Sequence, residues 1–444
     1  MHARLLSRTE RAMDTIVVGA GLAGLSAAAR LAEAGCTVTV LEARPRIGGR
    51  VLTEPDGAGS PALELGPEWF SPSGPVHELL DASDADVREA HGDRVVRVNG
   101  RWEKLKEPAD SIKRLIDRLR KLRDPDRSLS EALDECCREP EMVGARAEIV
   151  PYVEGFHAAD PDRVSVRWLT EVERAQSADV SRYRTPDGLQ RAVESLAARV
   201  RDRATLRLGT VVREVRWRPG RVEVIADGET LTADNLVVTL PLGVLKAQPG
   251  HPSHVRFLPD LPDKRAAVSR LGVGHVQKLV LRFRDAFWRR IGPLAHALFM
   301  QNFEQPFPTW WSAVTPEAPV LVGWAGGPQA RRLAELEGAE TIEAAIGSLS
   351  ATLDVSRGTI ESHLVDAWFH DWTHDPYALG AYSYVLVGGA EAHRLLAEPV
   401  EGTLFFAGEA TCGGGTNATM DGPIDSGYRA ADAILRMSHH LEGD

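Results

Sequence analysis

The chain has 444 residues, 43% hydrophobic and 26% charged, which excludes a disordered, collagen-like or coiled-coil protein and leaves room for two or three domains of roughly 150 residues. A formal net charge of −11 argues against a nucleic-acid partner and mildly favours cationic small molecules. No apolar run approaches about 18 residues and the leader MHARLLSRTERAMD has no apolar core, so the expectation is a cytoplasmic protein with no membrane span and no secretory signal.

The predicted elements begin with DTIVVGAGLAGLSAAARLAEAGCTVTVLEAR. It reads as a strand over 15–18, a glycine turn, an Ala-rich helix to about 34 with Gly35 beyond it, and a strand over 37–41, together a βαβ unit. A Gly, Pro and Ser-rich loop runs to about 75. The alternation VVRVNGRWEKL then predicts a hairpin with a type I′ turn at Asn99-Gly100. From about 108 to 200 the pattern is charged and helical, broken at Asp124-Pro125, Glu139-Pro140, Asp160-Pro161 and Pro186-Asp187-Gly188. Strands are predicted in TLRLGTVVREVRWRPGRVEVIAD, NLVVTLPLGVL, QKLVLRF, PVLVGW, SHLVDAWF and LFFAG, before a closing helix over about 420–436. Cys36, Cys136, Cys137 and Cys412 show neither C-x-x-C nor zinc spacing. Adjacent Cys136 and Cys137 are expected not to bridge, and neither a disulfide framework nor a metal site is predicted.

Gly19, Gly21 and Gly24 form G-x-G-x-x-G between the first strand and helix, and Glu42 ends the second strand 18 residues after Gly24. The first glycine permits the tight turn, the second lets the backbone approach a pyrophosphate, and the third allows helix and strand to pack closely. The helix start offers amide donors to phosphate, and Glu42 can bind ribose hydroxyls. An acid at that position favours an adenosine without a 2′-phosphate, with NAD and FAD both open. Gly48, Gly49 and Arg50 supply a second glycine turn and a cation. Near the other end, Gly408-Glu409 precedes a glycine turn and a long helix.

These motifs, with ELGPEW, DGLQ-x-x-VESLA, TLPLGVLK, QKLVLRF-x-x-x-FW, DW-x-x-DPYALGAYSY, FAGEAT and SGYRAA, run in family order over nearly the whole chain. The sequence resembles the flavin-containing amine oxidase family of monoamine, polyamine and L-amino acid oxidases and lysine-specific histone demethylases. The resemblance implies an α/β fold: a Rossmann-like FAD-binding domain, of the glutathione reductase and p-hydroxybenzoate hydroxylase kind, interwoven with an α+β substrate-binding domain. The expected division is 1–75, 188–265 and 396–444 for FAD, and 76–187 and 266–395 for substrate, with the active site at their junction.

By the same resemblance the FAD contacts come from several segments. Glu42, with Ala43 and Arg44, holds the adenosine ribose, Arg50 the pyrophosphate side, and Val212 the adenine through its backbone. Gly66, Pro67, Glu68 and Trp69 line the cofactor, as does Trp372. Gly408 and Glu409 meet the ribityl or pyrophosphate, and the helix starting near Met420 points at the flavin N1 and C2 carbonyl. Lys278 matches the lysine that reaches the flavin N5 through a water. Tyr382 matches an aromatic wall flanking the substrate amine, where exclusion of water favours the neutral amine. Thr419 stands where monoamine oxidases have a second tyrosine, giving a half-open cage. Ala381 replaces the cysteine that bonds flavin, which implies noncovalent FAD. Trp69 stands where L-amino acid oxidases tend to place an arginine. Glu68, Glu154, Tyr152, Phe156 and His157 are candidate pocket residues, and Trp310 and Trp311 are read as packing.

The expected activity is two-electron oxidation of a small-molecule amine to an imine with reduction of O2 to hydrogen peroxide, with a polyamine or another primary or secondary amine favoured. The alternatives are an L-amino acid oxidase, an FAD-dependent desaturase or porphyrinogen-type oxidase, and a noncatalytic flavin-binding protein. Histone demethylation has no long helical hairpin to support it. The oligomeric state is open, a homodimer among the options.

Overall fold

The structure, a computed structural model, describes residues 13–55, 61–105, 110–139, 142–176, 182–313, 315 and 318–441. Most of the leader, Pro140 and the start of the helical region at 108 lie outside them.

Two sheets organise the chain. The first has five parallel strands, Ala204–Arg207, Thr37–Leu41, Asp14–Val18, Asn235–Val238 and Leu404–Phe406 in spatial order. Numbered by position in the chain that order is 3-2-1-4-5, which puts a topological switch point between Asp14–Val18 and Asn235–Val238. Burial on both faces explains the unbroken apolar runs TIVV and NLVV. Helices Leu22–Glu33, Gln190–Val200 and Asp421–Leu441 contribute to one core with this sheet, through Leu25, Ala28, Val193, Leu196, Ile424 and Ala431.

The second sheet has seven strands, in the order Leu364–Phe369, Val276–Phe283, Val320–Gly326, Thr309–Ser312, Ala297–Gln301, Asp93–Val98 and Arg101–Leu105. Leu279, Leu281, Met300, Trp310 and Leu321 point to one face, where Leu333, Ile346, Leu349 and Ile360 of three helices cover them. The alternate residues point the other way, towards the segment 52–69. Asn99 and Gly100 have φ of 49° and 75°, the left-handed pair that a type I′ hairpin turn requires.

The helical stretch between the sheets holds Asp110–Lys121, Leu129–Cys136, Val143–Phe156 and Val166–Gln176, then the short strand Tyr183–Arg184. Several predicted elements differ. LPLGVL turns into the helix Leu242–Leu245 instead of extending its strand, because Pro241 at its N-cap cannot donate to a ladder. In SHLVDAWF the first two residues close the helix Arg357–His363. The closing helix runs to Leu441. The strands Ala297–Gln301 and Thr309–Ser312 and the helix Gly338–Leu353 were not among the predicted elements. Cys136 and Cys137 are joined by a disulfide, contrary to expectation: they lie where the helix Leu129–Cys136 ends, and Cys137, with φ −137° and ψ 43°, has left the helical conformation that would splay adjacent side chains apart. Among the described residues no helix is long and apolar enough to cross a membrane, and no three His, Cys, Asp or Glu side chains group as a metal site.

Candidate active site

The switch point is built from backbone. Gly19 has φ +109°, and a Cβ on Gly24 would lie 1.8 Å from the Gly19 carbonyl oxygen, so helix and strand meet only if both lack side chains. Thr239 Oγ1 donates to Val18 O at 2.7 Å and ties the two central strand ends together. The first helix starts at Gly21 with no side-chain cap, which leaves its amide end available to an anion. Glu42 is buried; its carboxylate accepts from the amides of Ala20 and Arg44, each at 2.8 Å. Two acceptances leave carboxylate lone pairs free for a diol. Thr210 N donates to Glu42 O at 2.8 Å and so brings the approach to Val212 beside the acid.

The guanidinium of Arg44 makes a bidentate pair with Asp375, both bonds at 2.8 Å. Burial raises the Asp375 pKa, but hydrogen bonds from His370 and Arg44 overcome it and hold the carboxyl well below the usual range. The side chain thus clamps the loop after Glu42 to the segment 370–377.

Arg50, from the N-terminal third of the chain, meets the segment around Glu409. Arg50 donates to Ala381 O and, at 3.1 Å, to Glu409. Glu409 is buried and also accepts from Ser383 N at 3.1 Å and Ser383 Oγ at 2.7 Å. Ser426 Oγ accepts from Gly408 N at 2.8 Å, anchoring this turn to the last helix. Thr419 accepts from Gly422 N at 3.1 Å and donates to Thr416 O at 2.7 Å, so it caps that helix's first turn. Met420 is buried in the core of the parallel lobe. Asn417 Nδ2 reaches Ser383 O at 3.5 Å, while its buried Oδ1 has no protein partner.

Lys278 is among the largest fully buried side chains, 2% exposed. Strand alternation turns it to the same face as Trp324, Trp311 and Phe299, through the pairings Lys278 with Trp324, Trp311 with Val322 and Phe299 with Trp311. Its Nζ donates to Gly66 O and Glu68 Oε2, both at 3.0 Å, and stands 5.7 Å from the Trp311 ring. Glu68 also accepts from Arg184 and Trp311 Nε1, each at 3.0 Å. Burial raises the Glu68 pKa, yet the two cations outweigh it and the group lies below its ordinary value. Arg184 donates further to Ser312 O and Ala313 O and lies 4.4 Å from the Trp69 ring. Trp372 Nε1 donates to Leu65 O at 2.8 Å. The segment 65–69 is therefore held by Trp372, Lys278 and Arg184.

Over this face lies the end of the helix Val143–Phe156. Its last carbonyls would lack partners within the helix; Trp324 Nε1 donates to Gly155 O at 2.7 Å and Tyr382 OH to Phe156 O at 2.9 Å. Burial and then Glu409 raise the Tyr382 pKa, so its hydroxyl stays neutral. Tyr152 stacks on Phe156 at 5.2 Å, and Glu173 accepts from Tyr152 OH at 3.0 Å and pairs with His157 Nε2 at 2.9 Å. Glu154 is half-buried and its pKa is raised by burial. Arg184, Ser383, Asp375 and Asn417 were not singled out from the sequence because nothing local gives them a role, and that Lys278 and Trp311 share a face follows only from the strand register.

FAD fits this frame. Gly408, at φ +118°, has no atom within 4 Å of where a Cβ would sit, so its backbone is open to a ligand, and Asn417 presents an unsatisfied buried acceptor nearby. The donor set of uncapped helix start, Glu42 and Arg50 suits a ribose and pyrophosphate.

The model of flavin containing amine oxidoreductases matches residues 22–435. Lysine-specific histone demethylase 1 homolog 1 of Oryza sativa subsp. japonica is 30% identical over 96% of this chain and 52% of its own length. Polyamine oxidase 5 of the same rice is 28% identical over 95% of this chain and 88% of its own. The chain thus spans about half the length of the demethylase homologue. Among solved structures, putrescine oxidase bound to putrescine superposes with a TM-score of 0.79 at 22% identity, covering 96% of this chain and 99% of that one. Cyclohexylamine oxidase from Brevibacterium oxydans gives 0.79 at 22%, covering 97% and 100%. At these identities the structural likeness concerns the fold.

Proposed function

Because this chain belongs to the flavin-containing amine oxidoreductase family, with noncovalent FAD as its cofactor, we propose that it oxidises a primary or secondary amine by two electrons and passes them to oxygen. The products of this reading are hydrogen peroxide and an imine, which water hydrolyses to an aldehyde or ketone. FAD, when bound, supplies the two-electron acceptor.

The observation that carries the reading is the buried Lys278 ammonium, set among Trp311, Trp324 and Trp69 and fixed by Gly66 O and Glu68 at 3.0 Å. A cation held without freedom to reorganise stabilises negative charge developing on oxygen beside it. The half-buried rings of Trp69, Phe299, Trp324 and Tyr382 exclude water, which disfavours the ammonium form and leaves the amine neutral, the form that yields a hydride from its α-carbon. Glu42 holds the ribose, Gly48, Gly49 and Arg50 the pyrophosphate, and Glu409 the ribityl side. We assign the cofactor-binding part to 1–75, 188–265 and 396–444, and the substrate part to 76–187 and 266–395. An α-amino acid is disfavoured: Arg184, 4.4 Å from the Trp69 ring, is already bonded to Glu68, Ser312 and Ala313, so an α-carboxylate beside Trp69 would find that guanidinium taken.

Anaerobic mixing of the yellow protein with alkylamines, diamines and amino acids, followed by air, tests this. The expected result is bleaching of the flavin by an amine and one peroxide per flavin on re-oxidation. Full flavin occupancy with no bleaching by any amine would overturn it.

A further inference from the structure

One carboxylate serves two cations beneath the aromatic wall. Glu68 gives Oε2 to Lys278 Nζ and Oε1 to Arg184, each at 3.0 Å, and Oε2 also accepts from Trp311 Nε1 at 3.0 Å. Both cations are almost wholly buried, Lys278 at 2% exposure and Arg184 at 3%. Burying three charges is a poor way to gain stability, since apolar side chains of similar volume in such a place are often neutral or better. What the arrangement supplies is net charge. Lys278 and Glu68 alone would cancel, and Arg184 restores one positive charge to the group.

The direction of that charge is fixed as well. An ammonium has three N–H groups; Lys278 uses two of them on Gly66 O and Glu68, both at 3.0 Å, which sets the orientation of the third. Gly66 ties the lysine to the cofactor side, because a Cβ there would lie 2.1 Å from Arg50 O, so this backbone rests directly on the residue assigned to the pyrophosphate. Arg184 is held in turn by Ser312 O at 2.7 Å and Ala313 O at 3.3 Å. The other carboxyl whose charge interacts with Lys278 is that of Glu64. Trp311 and Trp324, on the neighbouring strands of the same face, carry no titratable group.

We propose that Glu68, braced by Arg184, is a positioning residue for the oxygen step: it keeps Lys278 charged in its buried place and aims the remaining N–H at the oxygen that takes up electrons. This rests on the amine oxidase reading and deepens it. In that step O2 accepts two electrons and two protons to become hydrogen peroxide. Both electrons and one proton leave the reduced flavin anion, and the second proton comes from solvent. Lys278 ends the step with its own proton, so its part, and that of Glu68 behind it, is to stabilise developing negative charge.

The test follows dithionite-reduced, FAD-loaded enzyme on mixing with oxygen across pH. Glu64 is replaced by Gln in every form compared, because burial brings its own titration to about 7. In the E64Q parent the rate constant should stay within about twofold between about pH 6 and pH 10, while in E64Q/E68Q it should fall about tenfold or more, because an ammonium buried without its counter-ion gives up its proton. E64Q/E68Q/K278R should be flat again, since a guanidinium keeps its charge; a merely structural role for Glu68 would give no such rescue. The flavin midpoint potential, measured by dye equilibration, should likewise drop more steeply with pH in E64Q/E68Q than in its parent. If the Gln form does not retain flavin, E64Q/E68D keeps the charge while shortening the reach, and should show a lower rate with a flat profile; a sloping one would count against the proposal. A profile in E64Q/E68Q parallel to that of the parent, or a slope that K278R does not remove, would overturn the proposal and leave amine oxidation standing. If no amine bleaches the flavin, the underlying reading fails, and this one with it.

Discussion

The two sheets offer their chemistry in different ways. In the parallel sheet the working groups are amides and carbonyls at strand ends: Gly19, Ala20, Gly48 and Gly408 matter for where their backbone goes, and Glu42 and Thr239 are tied to main chain. In the seven-stranded sheet the working groups are side chains on alternate residues of strands far apart in the chain, Lys278, Trp311, Trp324 and Phe299. The first arrangement tolerates almost no change in shape. The second is a buried electrostatic network whose members fail when a partner is lost.

The largest effect should come from the backbone-built side. Gly24→Val places a side chain where even a Cβ would lie 1.8 Å from Gly19 O, so the purified protein is expected to lose nearly all bound flavin, read from its visible absorbance. Retention of full flavin would break the contrast.

Next comes the buried network. Glu68→Ala leaves Lys278 and Arg184 facing each other without their counter-ion and should cost about 3–5 kcal/mol in urea unfolding. Lys278→Met should instead slow re-oxidation of the reduced enzyme by oxygen roughly 100-fold, checked by stopped flow. Re-oxidation as fast as in the unmodified enzyme would remove the lysine from the reaction.

A third test uses pH. Glu64 is buried beside this network, where it accepts from Leu189 N at 2.6 Å and Thr53 Oγ1 at 3.0 Å. Burial outweighs these bonds and the Lys278 charge and raises its pKa to about 7. The folded state therefore binds a proton that the unfolded chain has released above its ordinary value near 4.5. Stability falls as pH rises from there to about 7, by at most about 3 kcal/mol, and is flat in this group above. Glu64→Gln should remove that slope from the urea midpoints measured across the interval.

The smallest effect belongs to the hairpin Asp93–Leu105. Gly100→Val forces a β-branched residue to φ 75° and should cost about 1–2 kcal/mol, with flavin content unchanged. A loss of flavin there would show that the lobes are coupled more tightly than the contrast supposes.

Much of the cofactor side was legible from residue order because its determinants are local. G-x-G-x-x-G followed by Glu42 lies within one βαβ unit, and the Asn99-Gly100 turn is set by two residues. Lys278 could be singled out only through resemblance, and its partners could not: Glu68 and Arg184 lie 210 and 94 positions before it in the chain. Arg44 shows the limit on the cofactor side too, since its place beside Glu42 gave no hint that Asp375, in the other lobe, takes its guanidinium. The vicinal bridge of Cys136 and Cys137 depended on how a helix ends, which periodicity does not report.

What the sequence by itself determined is the backbone geometry of the nucleotide turn, the family, and with it FAD, because glycine spacing and strand-end acids act over a few residues and need no distant partner. What only the tertiary structure decided is which side chains meet on the amine side. Strand register, not chain order, sets those neighbours, and a slip of a single residue would turn Lys278 and Trp311 to the opposite face.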